Sequence, residues 1–256
     1  MKKHNIFLSV VIPCYNEAHN IRLGALAQVA YYFHNKDYLW EVIVVDDGST
    51  DESRDLIKEF ISTNPRFRLI ENNHLGKAAT VMTGMFASSG EVVLFSDLDQ
   101  ATPIRELDKF LPWLDQSFEI VIGSRNSNRK GAPFLRRSMA QGFIFLRTLI
   151  LGLSGITDTQ CGFKVFKKRA AEAIFKRMRL YKKARPTDTS ISGSLVTAGF
   201  DVEVLYLARL LGYNIKEVPV NWHYVESRRV NPLRDSWYGF LDLLKIKLNN
   251  MRHVYD

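Results

Sequence analysis

Asp97 and Asp99 flank Leu98 directly after the apolar run EVVLFS. On extended backbone, residues two apart point to the same side, so both carboxylates can meet one ligand. Hard oxygen donors in a pair suit Mg2+ or Mn2+ rather than zinc. Alone, Asp-x-Asp is a common loop pattern. It gains weight here because a second acidic pair, Asp46 and Asp47, closes another apolar run in VIVVDDGSTD. A further acid, Asp158, opens DTQCGFKVF within a strongly basic region. Between Arg125 and Arg185 there are 16 Lys or Arg against two acids, Asp158 and Glu172, in a chain whose net charge is +8. Such asymmetry points to an anionic partner for the basic part. Carboxylates cannot hold a phosphate directly, but a divalent cation between them can.

These residues need a scaffold, and the first half of the chain supplies its pattern. LSVVIPCYN reads as a strand ending at Pro13, followed by helical spacing through Ile21, Leu23, Leu26 and Val29. EVIVVDDGS is a second strand, and STDESRDLIKEFI a helix with Ser49 or Thr50 as its cap. RFRLIE, EVVLFS and FEIVIGS are further strands, with GKAATVMTGMFAS a helix between the first two. Strands alternating with helices imply βαβ units and a mainly parallel, Rossmann-like sheet covered on both faces. Ligands bind beyond the carboxyl ends of such strands. Polar residues collect there: Tyr15, Asn16 and Glu17, then Asp46 and Asp47, then Asp97 and Asp99, then Ser124 and Arg125.

Other classes are disfavoured. GxGxxG does not follow the first strand and GxxxxGK[ST] is absent, which argues against a dinucleotide dehydrogenase or a P-loop NTPase. The cysteines, Cys14 and Cys161, form no disulfide or zinc pattern and suit a reducing cytoplasm. The amino terminus lacks the shape of a signal peptide. The basic stretch shows no pattern of interleaved exposed aromatics and no recognised nucleic-acid motif, so no nucleic-acid partner is expected.

VVIPCYNE, VIVVDDGSTDES, GKAATVMTG, FSDLD and IGSR occur here in the order and spacing of family 2 glycosyltransferases, which have the GT-A fold. DTQCGFKVF, GFDVEVLYLARLLGYNIKEVPVNWH and DSWYGFLDLLKIKLNN resemble the branch of that family acting on dolichyl or polyprenyl phosphate, its glucosyl members especially. The resemblance implies a GT-A catalytic domain over residues 1–225, divided into a nucleotide-sugar part (1–125) and an acceptor part (126–225). A C-terminal amphipathic helical segment, 226–256, would follow it. It implies that Pro13, Tyr15, Glu17, Asp46, Asp47, Lys77 and Asp97 bind the nucleotide sugar, and that Asp97 and Asp99 hold Mg2+ or Mn2+. Mannosyl members often carry Gln at the position of Ala101, so the residue here leans towards UDP-glucose. The implied activity moves a hexose to a polyprenyl or dolichyl phosphate with inversion. GDP-mannose as donor, or a glycan as acceptor, are the alternatives.

In that chemistry the acceptor phosphate is already an anion, with a second pKa of roughly 6, so a strong general base is scarcely required. The task is to bring two polyanions together. Arg125, Arg136, Arg137, Lys164, Arg228 and Arg229 are the candidates to hold the acceptor phosphate. Asp158, Asp99 and Arg125 are the catalytic candidates, with Asp158 either orienting a lysine or arginine or meeting the sugar or attacking oxygen. Asp201 and Glu203 precede a helix that they are placed to cap. SMAQGFIFLRTLILGLSGIT, with Arg147 at its centre, reads as an interfacial rather than a spanning helix. Trp237, Leu241, Leu244, Leu248 and Met251 form one helical stripe, flanked by Lys245, Lys247 and Arg252. That stripe suits a membrane surface, packing on the domain or a seam in a homo-oligomer. The expected location is peripheral, on the cytoplasmic face of a membrane.

Overall fold

The structure is a computed structural model and describes residues 7–125, 134–180, 197–223 and 232–256. The first half alternates as expected: β1 (Leu8–Cys14), α1 (Ala18–Arg22), α2 (Ala25–His34), β2 (Trp40–Asp46), α3 (Ser53–Thr63), β3 (Phe67–Glu71), α4 (Lys77–Ala87) and β4 (Val92–Ser96). After a 3-10 turn at Ile104–Lys109 come α5 (Leu111–Leu114), β5 (Ile120–Ser124), α6 (Phe134–Leu151), β6 (Phe163–Lys167), α7 (Lys168–Arg177), α8 (Thr197–Leu210), β7 (Ile215–Pro219) and α9 (Pro232–Met251).

The seven strands form one sheet in the order β3-β2-β1-β4-β6-β5-β7. Every neighbouring pair is parallel except those of β6, which runs antiparallel to both β4 and β5. Successive side chains of a strand face opposite sides, and here both sides are apolar. Val11, Ile43, Val45, Val93 and Phe95 face a core completed by α4, α7, α8 and α9. Val10, Ile12, Val42, Val44 and Leu94 face another, closed by Val29 and Phe33 of α2, Ile57 of α3 and Leu107 of the 3-10 turn. Each fully buried Val, Ile or Leu contributes about 1.5–3 kcal/mol, which explains why the central strands are almost uninterrupted aliphatic runs.

Several local expectations are corrected. The helical spacing after β1 is broken: Gly24 takes φ +85°, a conformation costly for other residues, and Leu23 points to solvent between α1 and α2. Neither Ser49 nor Thr50 caps α3, which begins at Ser53 behind Glu52. DTQCGFKVF reads in sequence as a small polar-aromatic turn, but its last four residues open β6, an interior strand of the sheet. Asp201 and Glu203 do not cap α8. They lie inside it, where a spacing of two sends them to different faces.

Helices α6 and α9 are apolar on more than one side. In α9, Leu243 and Ile246 are buried, whereas Trp237, Leu244, Leu248 and Met251 stand exposed. The stripe therefore points away from the domain, and packing on its own fold is not its role. In α6, Arg147 is buried and Phe145 and Leu149 are exposed, so the arginine faces the protein interior rather than a lipid phase. No helix among the described residues is long and apolar enough to cross a membrane.

The residues after α9 are tied back to the core. The Tyr255 hydroxyl donates to Glu203 Oε1 at 2.8 Å, and Glu203 also accepts from the Arg179 and Leu180 amides. Burial raises the Glu203 carboxyl above its ordinary range. Tyr255→Phe removes one of three donors from a buried acceptor, and should cost about 1–2 kcal/mol. The check is a lower urea midpoint at unchanged slope.

Candidate active site

The acidic side of the site is built where β4 ends. The Asp97 amide donates to the Gly162 carbonyl at 3.3 Å, tying the loop after β4 to the one before β6. A Cβ on Gly162 would land within the Asp97 carboxylate, so only glycine allows this seat. Lys77 Nζ, from the first residue of α4, lies 2.6 Å from Asp97 Oδ1. Asp99 Oδ1 accepts from the Ala101 amide at 3.0 Å. Gln100 between them takes φ +52°, and its side chain bonds the Ile104 amide and the Asp97 carbonyl, fixing the loop. Burial, and then the charge of Asp97, raise the Asp99 carboxyl above its ordinary value. Two repelling carboxylates in one wall are a natural seat for a cation.

The basic side is built where β5 ends. Arg125 Nε and Nη2 reach the two oxygens of Asp158 at 2.7 and 2.8 Å, and the Arg125 amide donates to the same carboxylate at 3.0 Å. Burial alone would lower the guanidinium pKa, but the hydrogen bonds and charge of Asp158 outweigh it and hold it raised. Arg125 is therefore a permanent cation. Asp158 is itself placed by two neighbours. Glu217 of β7 accepts from the Thr157 and Asp158 amides at 2.8 and 2.7 Å. The buried Arg147 of α6 bonds Thr159 Oγ1 at 3.2 Å and the Ile156 carbonyl. Beside the fork, the Trp222 ring lies 5.8 Å from the Arg125 guanidinium carbon.

The two sides face each other. Asp97, Asp99, Arg125, Gln160, Gly162 and Trp222 line one cleft of about 170 Å³. Among the described residues no group of three or more His, Cys, Asp or Glu forms a ready-made metal cage. Two carboxylates are what a divalent cation needs from the protein when a substrate's phosphates supply further ligands. The cleft, the glycine seat and the repelling pair all fit such an ion.

The remaining expected residues divide by what they touch. Asp46 is buried and accepts from the Gly48 and Ser49 amides and from Arg54. Asp47 accepts from the Leu75 and Gly76 amides at 2.9 and 2.8 Å, and so fixes the loop that delivers Lys77. Glu17 accepts from Asn20, and the loop after β1 is fastened to the one after β2 through Asn16, Ser49 and Thr50. Pro13 is a half-buried residue of β1. Tyr15 stacks on His74 with ring centres 4.2 Å apart. Lys164 does not reach the cleft wall: its ammonium is buried on Asp201 at 2.5 Å and on the Cys161 carbonyl at 2.6 Å. Its charge is neutralised within the protein, unlike that of a residue waiting for a phosphate. The side chains of Arg136 and Arg137, and both Arg228 and Arg229, lie outside the described residues.

Gly162, Glu217, Trp222, His74 and the inward role of Arg147 went unread in the sequence. No residue type signals a glycine that seats a carboxylate, and Glu217 in IKEVPV looks like any outward strand residue.

The glycosyl transferase family 2 model matches residues 9–175. The chain belongs to glycosyl transferase family 2. It is 32% identical over 270 residues to dolichyl-phosphate beta-glucosyltransferase of Dictyostelium discoideum, covering 98% of this chain and 77% of that one. The Mus musculus enzyme of the same name is 34% identical over 94% of this chain and 75% of its own. Among solved structures, glucosyl-3-phosphoglycerate synthase from Mycobacterium tuberculosis in complex with UDP superposes with TM-score 0.63 at 19% identity, over 96% of this chain and 81% of that one. Mannosyltransferase PcManGT from Pyrobaculum calidifontis, in complex with GDP-Man and Mn2+, gives 0.54 at 23% identity, over 89% and 59%. The architecture is thus the GT-A fold, as the sequence motifs implied, and the protein is a glycosyltransferase.

The geometry generates two tests. Gly162→Ala displaces the Asp97 carboxylate and should lower kcat/KM for sugar transfer by about 100-fold, the effect of a misplacement near 1 Å. A rate near that of the unaltered protein would show that the seat is dispensable. Cys14 lies behind the site, and burial, then Asp46 and Glu17, push its thiol up to about 12. Iodoacetamide at pH 8 should leave it unmodified in the folded protein and label it once urea unfolds the chain.

Proposed function

We propose that this glycosyltransferase moves glucose from UDP-glucose to dolichyl or polyprenyl phosphate at a membrane surface, with inversion at the anomeric carbon. The observation that carries the proposal is the cleft in which Asp97 and Asp99 face an arginine locked by Asp158. The names of the relatives, dolichyl-phosphate beta-glucosyltransferases, support the same donor sugar and acceptor. Tyr15, Asp46 and Asp47 shape the nucleotide end of the site, and Lys77 and Asp97 its diphosphate end.

The electrostatic problem explains the division of charge. Two unit charges about 4 Å apart repel by about 4 kcal/mol in a protein-surface environment, and here a diphosphate must approach a phosphate monoester. Asp97 and Asp99 would hold Mg2+ or Mn2+, which would neutralise the donor diphosphate and stabilise the departing nucleotide. Arg125 meets the negative charge from the opposite wall, with its planar fork pre-aimed by Asp158. The acceptor oxygen, already ionised, attacks the anomeric carbon on the face away from the leaving UDP, so an α-linked donor gives a β-linked product. Asp158 serves as positioning residue for Arg125, because both of its oxygens are committed to that guanidinium. Arg136, Arg137, Arg228 and Arg229 remain the proposed phosphate contacts beyond Arg125. The outward Phe145 and Leu149 of α6 and the stripe on α9 supply an apolar surface for the bilayer, flanked by Lys245 and Lys247.

Labelled UDP-glucose and GDP-mannose, each with Mn2+ and a short polyprenyl phosphate, test the assignment. Label should pass from UDP-glucose to the lipid phosphate and not to the corresponding alcohol. Asp99→Asn should reduce that transfer by about 1,000-fold, in the range lost when one electrostatic stabiliser is removed. Transfer from neither donor, or equal transfer to the alcohol, would contradict the proposal.

A further inference from the structure

Among the described residues, Lys77 is the lysine placed against the acidic wall with room to move. Its ammonium lies 2.6 Å from Asp97 Oδ1, and both side chains are about a third exposed, at 30% and 33%. The neighbouring Lys164 is committed elsewhere, wholly buried against Asp201 and a backbone carbonyl. Lys77 also stands at the first position of α4, where a positive charge is disfavoured by the helix dipole, and that turn contains no acidic residue to offset it. Asp97, from another element, provides the offset. Below them the Phe95 ring lies 5.4 Å from Lys77 Nζ, so the ammonium has an apolar floor and an open side.

We infer that Lys77 is a placeholder cation: it occupies Asp97 in the donor-free protein and moves to the donor diphosphate when the divalent ion takes that carboxylate. The inference rests on the proposed metal and nucleotide-sugar roles of this site. Its consequence is coupling. A divalent ion arriving alone must displace an ammonium from its counter-charge and leave that ammonium without an anion. When the nucleotide arrives with the ion, the displaced ammonium gains the diphosphate, so metal and nucleotide bind as one event. The four-carbon stem of lysine permits that swing, and its compact charge suits a phosphate oxygen. Lys77 thereby keeps the acidic wall neutralised between turnovers and discourages occupation by metal without donor.

Mn2+ titration followed by electron paramagnetic resonance, with and without UDP, tests this on the whole chain. UDP should tighten Mn2+ binding to the unaltered protein, and Mn2+ should tighten UDP binding by the same factor, since coupling is reciprocal. Lys77→Met should bind Mn2+ alone about tenfold more tightly, because the competing charge is gone, while the factor contributed by UDP shrinks. Lys77→Gln, a polar alternative should the methionine variant misfold, should behave in the same way, and Lys77→Arg should retain the coupling. Mn2+ binding to both neutral variants no tighter than to the unaltered protein, with the UDP effect intact, would overturn the placeholder role alone. Failure of Mn2+ to bind any of the proteins, even with UDP, would overturn it together with the metal role of Asp97 and Asp99.

Discussion

The fork between Arg125 and Asp158 fixes the direction in which positive charge is presented to the cleft. Three hydrogen bonds join the pair, and two belong to a planar guanidinium whose orientation they determine. A lone arginine at a strand end would sample many rotamers, with about 2 kcal/mol of side-chain entropy to lose. The loop carrying Asp158 is itself held from two directions, by Glu217 on β7 and by Arg147 reaching out of α6. An acid in a basic region is therefore the piece that turns diffuse positive charge into an aimed one. The reaction needs aim more than proton abstraction, because the proposed nucleophile is ionised before it binds.

Opposite the fork, the acidic wall depends on close approach. Asp97 is seated on Gly162 where the β4–β6 ladder ends, so the strand end carrying the carboxylates lies against the segment that leads from Asp158 into β6. The wall and the fork therefore share one loop. Behind them, Asp47 fixes the loop before α4 and Lys77 neutralises Asp97. Opposite charges alternate there in two pairs, Lys77 with Asp97 and Arg125 with Asp158. Lys164 and Asp201 extend that alternation into the interior, where an unpaired charge would cost several kcal/mol.

The parallel part of the sheet was legible in the sequence because buried parallel strands are continuous aliphatic runs, and the acids that follow them lie where such sheets bind ligands. Asp97, Asp99, Arg125 and Asp158 were singled out that way or through family motifs, and the structure brings the first three to one cleft. What escaped was set by tertiary contact. FKVFK did not look like an interior strand because Lys164 interrupts it, and nothing nearby in sequence shows that Asp201 would neutralise that lysine. Arg147 looked like a polar break in an interfacial helix until the loop it grips was in view. Asp46 and Asp47 were read as ligand contacts, yet their visible work is to fasten loops. Acidic residues at strand ends serve both ends, and local pattern does not separate them. For α9, period alone showed one apolar stripe, whereas the fold uses the opposite face.

A double-mutant cycle on kcat/KM reaches the centre of this account most directly. Arg125→Ala and Asp158→Asn would be measured singly and together, with UDP-glucose and polyprenyl phosphate. If Asp158 acts only by aiming Arg125, removing the aspartate after the arginine has gone should change little, and the double variant should match Arg125→Ala within about threefold. Losses that multiply in full would mean that Asp158 contributes to the transition state on its own, and the fork would lose its place as the organising contact.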